Sequence, residues 1–255
     1  LATVISQVVS ALLCLAQLMR TREDYRVDLK AIRFQKDILW QVIRVGLPSG
    51  VQNSIIAFAN LVVQSNINTF GAAAMAGCGS YSKVEGFAFL PITCFAMALS
   101  TFVGQNLGAR QYDRVKKGVR FGILCSVVLA ELMGVAIFFL GPHLIALFNS
   151  TPDVVDFGTR QAKLEAFAYF LLAFSHCVAG ILRGAGKSTV PMVVMMVFWC
   201  IVRVTYITIG IHFLPDIRIV FWAYPLTWSL SSLVFLVYFL QGKWVHGFEA
   251  ADTSA

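Results

Sequence analysis

Only 13% of the 255 residues are charged while 58% are hydrophobic, and the mean hydropathy is +0.75. A soluble domain carries about twice that charge fraction, so the composition excludes an ordinary soluble fold and reads as an integral membrane protein. The formal net charge of +7 does not gather on one basic face but sits between apolar runs, which argues for a topological role and against a nucleic-acid surface.

Residues 1–19 are apolar, without an initiator Met, a basic start or a small-residue cleavage site, and are expected to be the end of a membrane helix. Residues 20–45 form a basic cytoplasmic linker. Arg20, Arg22, Arg26, Lys30, Arg33, Lys36 and Arg44 face Glu23, Asp24, Asp28 and Asp37 there, and the linker's end predicts an amphipathic helix on the membrane interface through Ile32, Ile38, Leu39 and Trp40. A membrane helix takes about 20 mainly apolar residues. That criterion predicts six complete spans, at roughly 46–69, 83–107, 118–141, 160–183, 189–212 and 219–241, within a lobe of residues 46–241 and before a cytoplasmic tail, 242–255.

Between the second and third spans runs STFVGQNLGARQYDRVKKGVR, with Arg110, Arg114, Lys116, Lys117 and Arg120 closely spaced. Short loops rich in Lys and Arg remain cytoplasmic, so this turn orients the chain. Fifteen of the 20 cations then fall inside and four outside (Lys83, Arg160, Lys163 and Arg218), with Arg203 left within a span. Pro91 and Pro225 are candidate bends, because a proline within a helix frees a carbonyl. The six cysteines are scattered and show no zinc-ligand spacing, which reads as buried free thiols; no metal is expected.

Ionisable groups within spans are costly, and each is a candidate for function. Glu131 and Arg203 both fall about 14 Å below the outer edge. They are expected to pair or to share a hydrated pocket, as a switch or as a structural ion pair. His176 is either a proton carrier or a group hydrogen-bonded to a neighbouring helix. Glu85 and Glu165 fall close to outer helix ends, where a solvated role is expected unless an outward cavity reaches Glu165. Gln52, Asn53 and Asn60 share one helical face and could line a cavity or hydrogen-bond across helices. Phe58, Phe87, Phe89, Phe95, Tyr169, Phe170, Phe174, Phe198, Trp199 and Tyr206 supply either a wall for flat cations or ordinary packing. The stretch RGAGKST lacks the first Gly of a phosphate-binding loop, since Ile181 stands there, and follows no strand.

Three stretches together resemble the multidrug and toxic compound extrusion (MATE) family: GQNLGARQYDRVKKGVR with Gly104, Gln105 and Gly108; GILRGAGKSTVPM with Arg183, Gly184 and Gly186, followed by Arg203; and GLPSG at the opening of a span. The resemblance implies an all-α lobe of six helices preceded by the end of helix six, the carboxyl-terminal half of a two-lobed, twelve-span transporter whose amino-terminal lobe is missing here. It also implies secondary antiport without covalent chemistry or cofactor: organic, often cationic, compounds leave as Na⁺ or H⁺ enters a bacterial cell across its inner membrane. Acidic cation ligands occur in some relatives where this chain offers only amides and His176. A lipid-linked oligosaccharide flippase and an inactive half-transporter are the alternatives.

Overall fold

Within hydrocarbon every backbone N–H and C=O needs an internal partner, so an apolar chain of this kind builds helices joined by short turns. The computed structural model describes residues 2–22, 26–28 and 33–241, and the regular elements among them are all helical. They are α1 (Ala2–Arg20), α2 (Lys36–Asn68), α3 (Ala72–Gly108), α4 (Tyr112–Ala146) and α5 (Pro152–Glu165), which passes through a 3-10 turn (Ala166–Ala168) into α6 (Tyr169–Gly184). Then α7 (Thr189–Met195) continues through a π-helical stretch (Met196–Val202) into α8 (Arg203–Phe213), and α9 is Arg218–Leu240.

Among the described residues six helical runs are long and apolar enough to cross a membrane: α1, α3, α4, α5 with α6, α7 with α8, and α9. The expected span at 46–69 is helical within α2 but is not one of these six, because its amides dilute an otherwise apolar segment.

The chain divides into two units, Leu1–Val42 and Ile43–Ala255. In the first, α1 buries none of its residues and exposes Val4, Leu12 and Leu13, a surface suited to lipid. The helix expected on the interface is the opening of α2 rather than a separate element: helix begins at Lys36 and leaves Ile38, Leu39 and Trp40 exposed. Glu23, Asp24, Lys30 and Ile32 of the linker, and the tail 242–255, lie outside the described residues.

In the second unit α3 packs against α4, α5 and α6 around a core that includes Tyr81, Ile92, Val103, Leu172, Ile181 and Phe235. A Cβ added at Gly180 would overlap the Ala96 carbonyl, and one added at Gly184 the Ser100 carbonyl. The backbones of α3 and α6 therefore touch directly, and the two paired positions advance together, so the helices run parallel. Small residues permit this close approach.

Both basic turns close in the same way. Gln111 N donates to Asn106 O at 2.8 Å with Arg110 at φ 57°, and Lys187 N donates to Leu182 O at 2.8 Å with Gly186 at φ 72°. A residue in the left-handed region after the last helical turn lets the chain cap its own carbonyls.

Helix starts differ most from the hydropathy reading. The helix α3 begins at Ala72, eleven residues before the expected 83, and α5 begins at Pro152, eight before 160. The extra turns, AAAMAGCGSYS and PDVVDFGT, are built of small and polar residues that pack on other helices, Gly77 against α5 and Gly158 against α3. Lys83, Arg160 and Lys163 thus sit on helices rather than in loops. Their heads find nearby partners: Lys83 Nζ lies 5.2 Å from the Phe148 ring, Lys163 Nζ 5.8 Å from the Phe138 ring, and Arg160 pairs with Asp156 at 2.6 Å.

Candidate functional site: a polar cavity within the lobe

A cavity of about 750 Å³ is walled by α2, α3, the α5–α6 run, the α7–α8 run and α9. Its three levels carry different chemistry.

Near the α5–α6 junction stand Glu85, Gln161, Arg203 and Tyr224. Behind them Glu165 has no exposed surface. Tyr81 Oη donates to Glu165 Oε2 at 3.0 Å, Gln161 Nε2 donates to Oε1 at 2.9 Å, and the Tyr81 and Tyr169 hydroxyls lie 2.8 Å apart. The pairs Tyr81/Glu85 and Gln161/Glu165 are each four residues apart, so each helix presents both members on one face.

Arg203 is almost fully buried, and its Nη2 and Nε donate to Thr227 Oγ1 at 2.9 and 3.3 Å. Its guanidinium lies 4.5 Å from the Tyr224 ring centre and 5.4 Å from that of Trp199, and it interacts electrostatically with Glu165 and Glu85. A buried cation is tolerated when charge, hydrogen bonds and aromatic faces together replace water. The π-helical stretch immediately precedes Arg203 and also carries Trp199. An i to i+5 turn advances the helix face differently from an α turn, and such turns occur often at functional sites. The expected plain helix over 189–212 lacks this feature.

At the middle level His176 stands edge-on between Phe89, at 5.0 Å, and Trp199, at 5.4 Å. Its Nε2 is buried without a hydrogen-bond partner, as is Gln52 Oε1, while Gln52 Nε2 donates to Met195 Sδ. A web of hydroxyls fixes this wall. Trp199 Nε1 donates to Ser231 Oγ at 3.1 Å, Ser175 and Ser232 Oγ lie 2.8 Å apart, and Ser232 Oγ donates to Leu171 O at 2.9 Å. At the third level, near the α6–α7 turn, Ser49, Asn53 and Arg183 line the cavity.

Of the residues singled out from sequence, Gln52, Asn53, Asn60, His176 and Arg203 all border this one space, and so does Arg183, named from sequence as part of the GILRGAGKSTVPM motif. Glu131 does not. It lies on α4, makes no ion pair with Arg203 among the described residues, and its Oε2 is buried without a partner. Sequence depth placed the two groups level but carried no information on direction, and α6 packs against α4. Gly104 and Gly184 belong to the α3–α6 contact, Gln105 and Gly108 are exposed at the end of α3, and Gly186 occupies the left-handed turn position. Phe89 and Trp199 line the cavity, whereas Phe58 and Phe87 point outward. Glu85 and Glu165 were missed as partners of Arg203 because their helices begin earlier than hydropathy indicates. The four-residue spacing of Tyr81/Glu85 and Gln161/Glu165 was the available signal.

A multi-pass helical bundle enclosing a polar cavity with charged groups at membrane depth defines a class of integral membrane protein built around an internal binding space. The MatE family model matches residues 48–208, and the chain belongs to that family. It is 23% identical over 242 residues to the probable multidrug resistance protein YoeA of Bacillus subtilis, covering 93% of this chain and 52% of that protein. To the probable multidrug resistance protein NorM of Thermotoga maritima it is 26% identical over 255 residues, covering 95% of this chain and 52% of that one. A solved structure of MATE in complex with MaL6 superposes with a TM-score of 0.87 at 19% identity, over 98% of this chain and 56% of that one. The chain thus spans about half the length of the curated relatives it matches.

Proposed function

We propose that this chain is the carboxyl-terminal lobe of a secondary active exporter, in which residues 1–19 end helix six, residues 20–45 link the lobes and the partner is an amino-terminal lobe. Organic, often cationic, compounds leave the cell as Na⁺ or H⁺ enters, by rocking of the two lobes about a site near the bilayer midplane. The observation that carries this reading is the cavity itself: about 750 Å³ in a bundle of membrane-length helices, aromatic at Phe89 and Trp199 and charged at both ends. Curated relatives described as multidrug resistance and multidrug export proteins support the substrate class.

Coupling is assigned to the cluster of Glu85, Glu165 and Arg203. Two carboxyl groups share the field of one guanidinium whose hydrogen bonds go to Thr227 instead, so a proton or Na⁺ is the natural third party, and its arrival changes the charge facing the cavity. The reaction has no covalent step.

Ethidium efflux from cells lacking their own drug pumps tests this reading, with the chain alone compared with the chain extended by its upstream coding sequence under separately varied Na⁺ and pH gradients. Efflux from the extended form alone is expected, and Glu165→Gln is expected to reduce it tenfold or more. No efflux from either form, at equal membrane abundance, overturns the exporter reading.

A further inference from the structure

Arg183 is a cavity cation without a hydrogen-bond or ion-pair partner among the described residues. It is half-buried and lines the space near the α6–α7 turn. Arg203, by contrast, is engaged by Thr227, Tyr224 and Trp199.

The carboxylates lie elsewhere. In the parallel register of α3 and α6, Ala96 meets Gly180, which sets Glu85 level with Tyr169, fourteen residues from Arg183. At 1.5 Å rise per residue that is about 21 Å along the helix. A guanidinium presents a planar fork of donors that matches a carboxylate, sulfonate or phosphate, and leaving it partly desolvated and unpaired is unfavourable.

A second observation comes from the α2 wall. Gln52 is only 4% exposed, lines the same cavity, and its Oε1 has no hydrogen-bond partner. An unpaired donor fork and an unpaired buried acceptor in one space match a ligand that carries an anionic group and also an N–H or O–H.

We infer that Arg183 is an anion-receiving subsite for aromatic amphiphiles. The carboxylate or sulfonate is held at Arg183 and the flat body extends towards Phe89 and Trp199. This rests on the reading of the cavity as the substrate site.

Rhodamine B, a zwitterion with a free carboxylate, and its ethyl ester, a cation of the same shape, separate the two ideas. Fluorescence anisotropy with the detergent-purified transporter is expected to show rhodamine B binding about tenfold more tightly than the ester. Arg183→Gln is expected to weaken rhodamine B alone and erase the preference, and Arg183→Lys to retain part of it. On the unmodified protein, benzenesulfonate is expected to displace rhodamine B but not the ester, a readout that stands even where Arg183→Gln does not fold. Equal affinity for both dyes, or a preference that survives in a folded Arg183→Gln protein, overturns the inference and leaves the cavity reading intact. Failure of the unmodified protein to bind either dye overturns both.

Discussion

At Glu165 a carboxyl group without exposed surface is held by a tyrosine hydroxyl and an amide. Glu165→Gln preserves the shape, so its thermal unfolding midpoint in detergent is expected to stay within a few degrees while ion-driven efflux falls. Glu165→Ala leaves Tyr81 and Gln161 without their acceptor beside a void, and a loss of about 2–4 kcal/mol is expected, read as a clearly lower midpoint. Thr227→Val removes the oxygen that both Arg203 donors use and is expected to cost about 1–3 kcal/mol, measured in the same way. These residues also mark how far the sequence could be read. The cost of a charge in hydrocarbon singled out Arg203 and Glu131, but cost depends on depth, whereas partnership depends on direction around the helix. Arg203 accordingly sits in the cavity and Glu131 on another face.

Among the elements, α4 and α9 were legible because their apolar runs exceed bilayer thickness, and the ends of α3 and α6 because basic turns punctuate them. The starts of α3 and α5 were not, since Gly, Ala and Ser make close helix contacts without raising hydropathy. Gly184→Ala places a methyl against backbone that cannot move aside, and a loss of about 1–3 kcal/mol is expected. Gly79→Ala, with open space around it, is expected to be neutral or up to about 1 kcal/mol stabilising through helix propensity. Comparing their unfolding midpoints isolates the α3–α6 contact. The π-helical stretch makes a sharper demand. Deleting Val197 converts it towards α-helix and removes the wide turn that carries Trp199. Efflux is expected to fall at least tenfold with the protein still in the membrane, because the placement of Trp199 against His176 and Arg203 depends on that turn.

For the molecule as a whole, the placement of cations is the ground for the expected orientation, and it is compatible with Lys83 and Lys163 lying on helices with their heads 5.2 and 5.8 Å from aromatic rings. A cysteine at Gln111 is expected to react with a membrane-impermeant maleimide only after cells are opened, and one at Asn149 in intact cells, in a background without the six native cysteines. The same labelling pattern reversed would invert the assignment of sides. The direct backbone contact of α3 with α6 has a consequence of an electrical kind. On the proposed reading, in which export draws on an ion gradient, the lobe must insulate as well as conduct. Where Gly180 and Gly184 press on Ala96 and Ser100 there is no groove wide enough for a file of water, so that seam resists leakage across it. A bulkier residue that forces it apart is expected to let protons seep through the bundle and slowly discharge the cell, even when no compound is being moved.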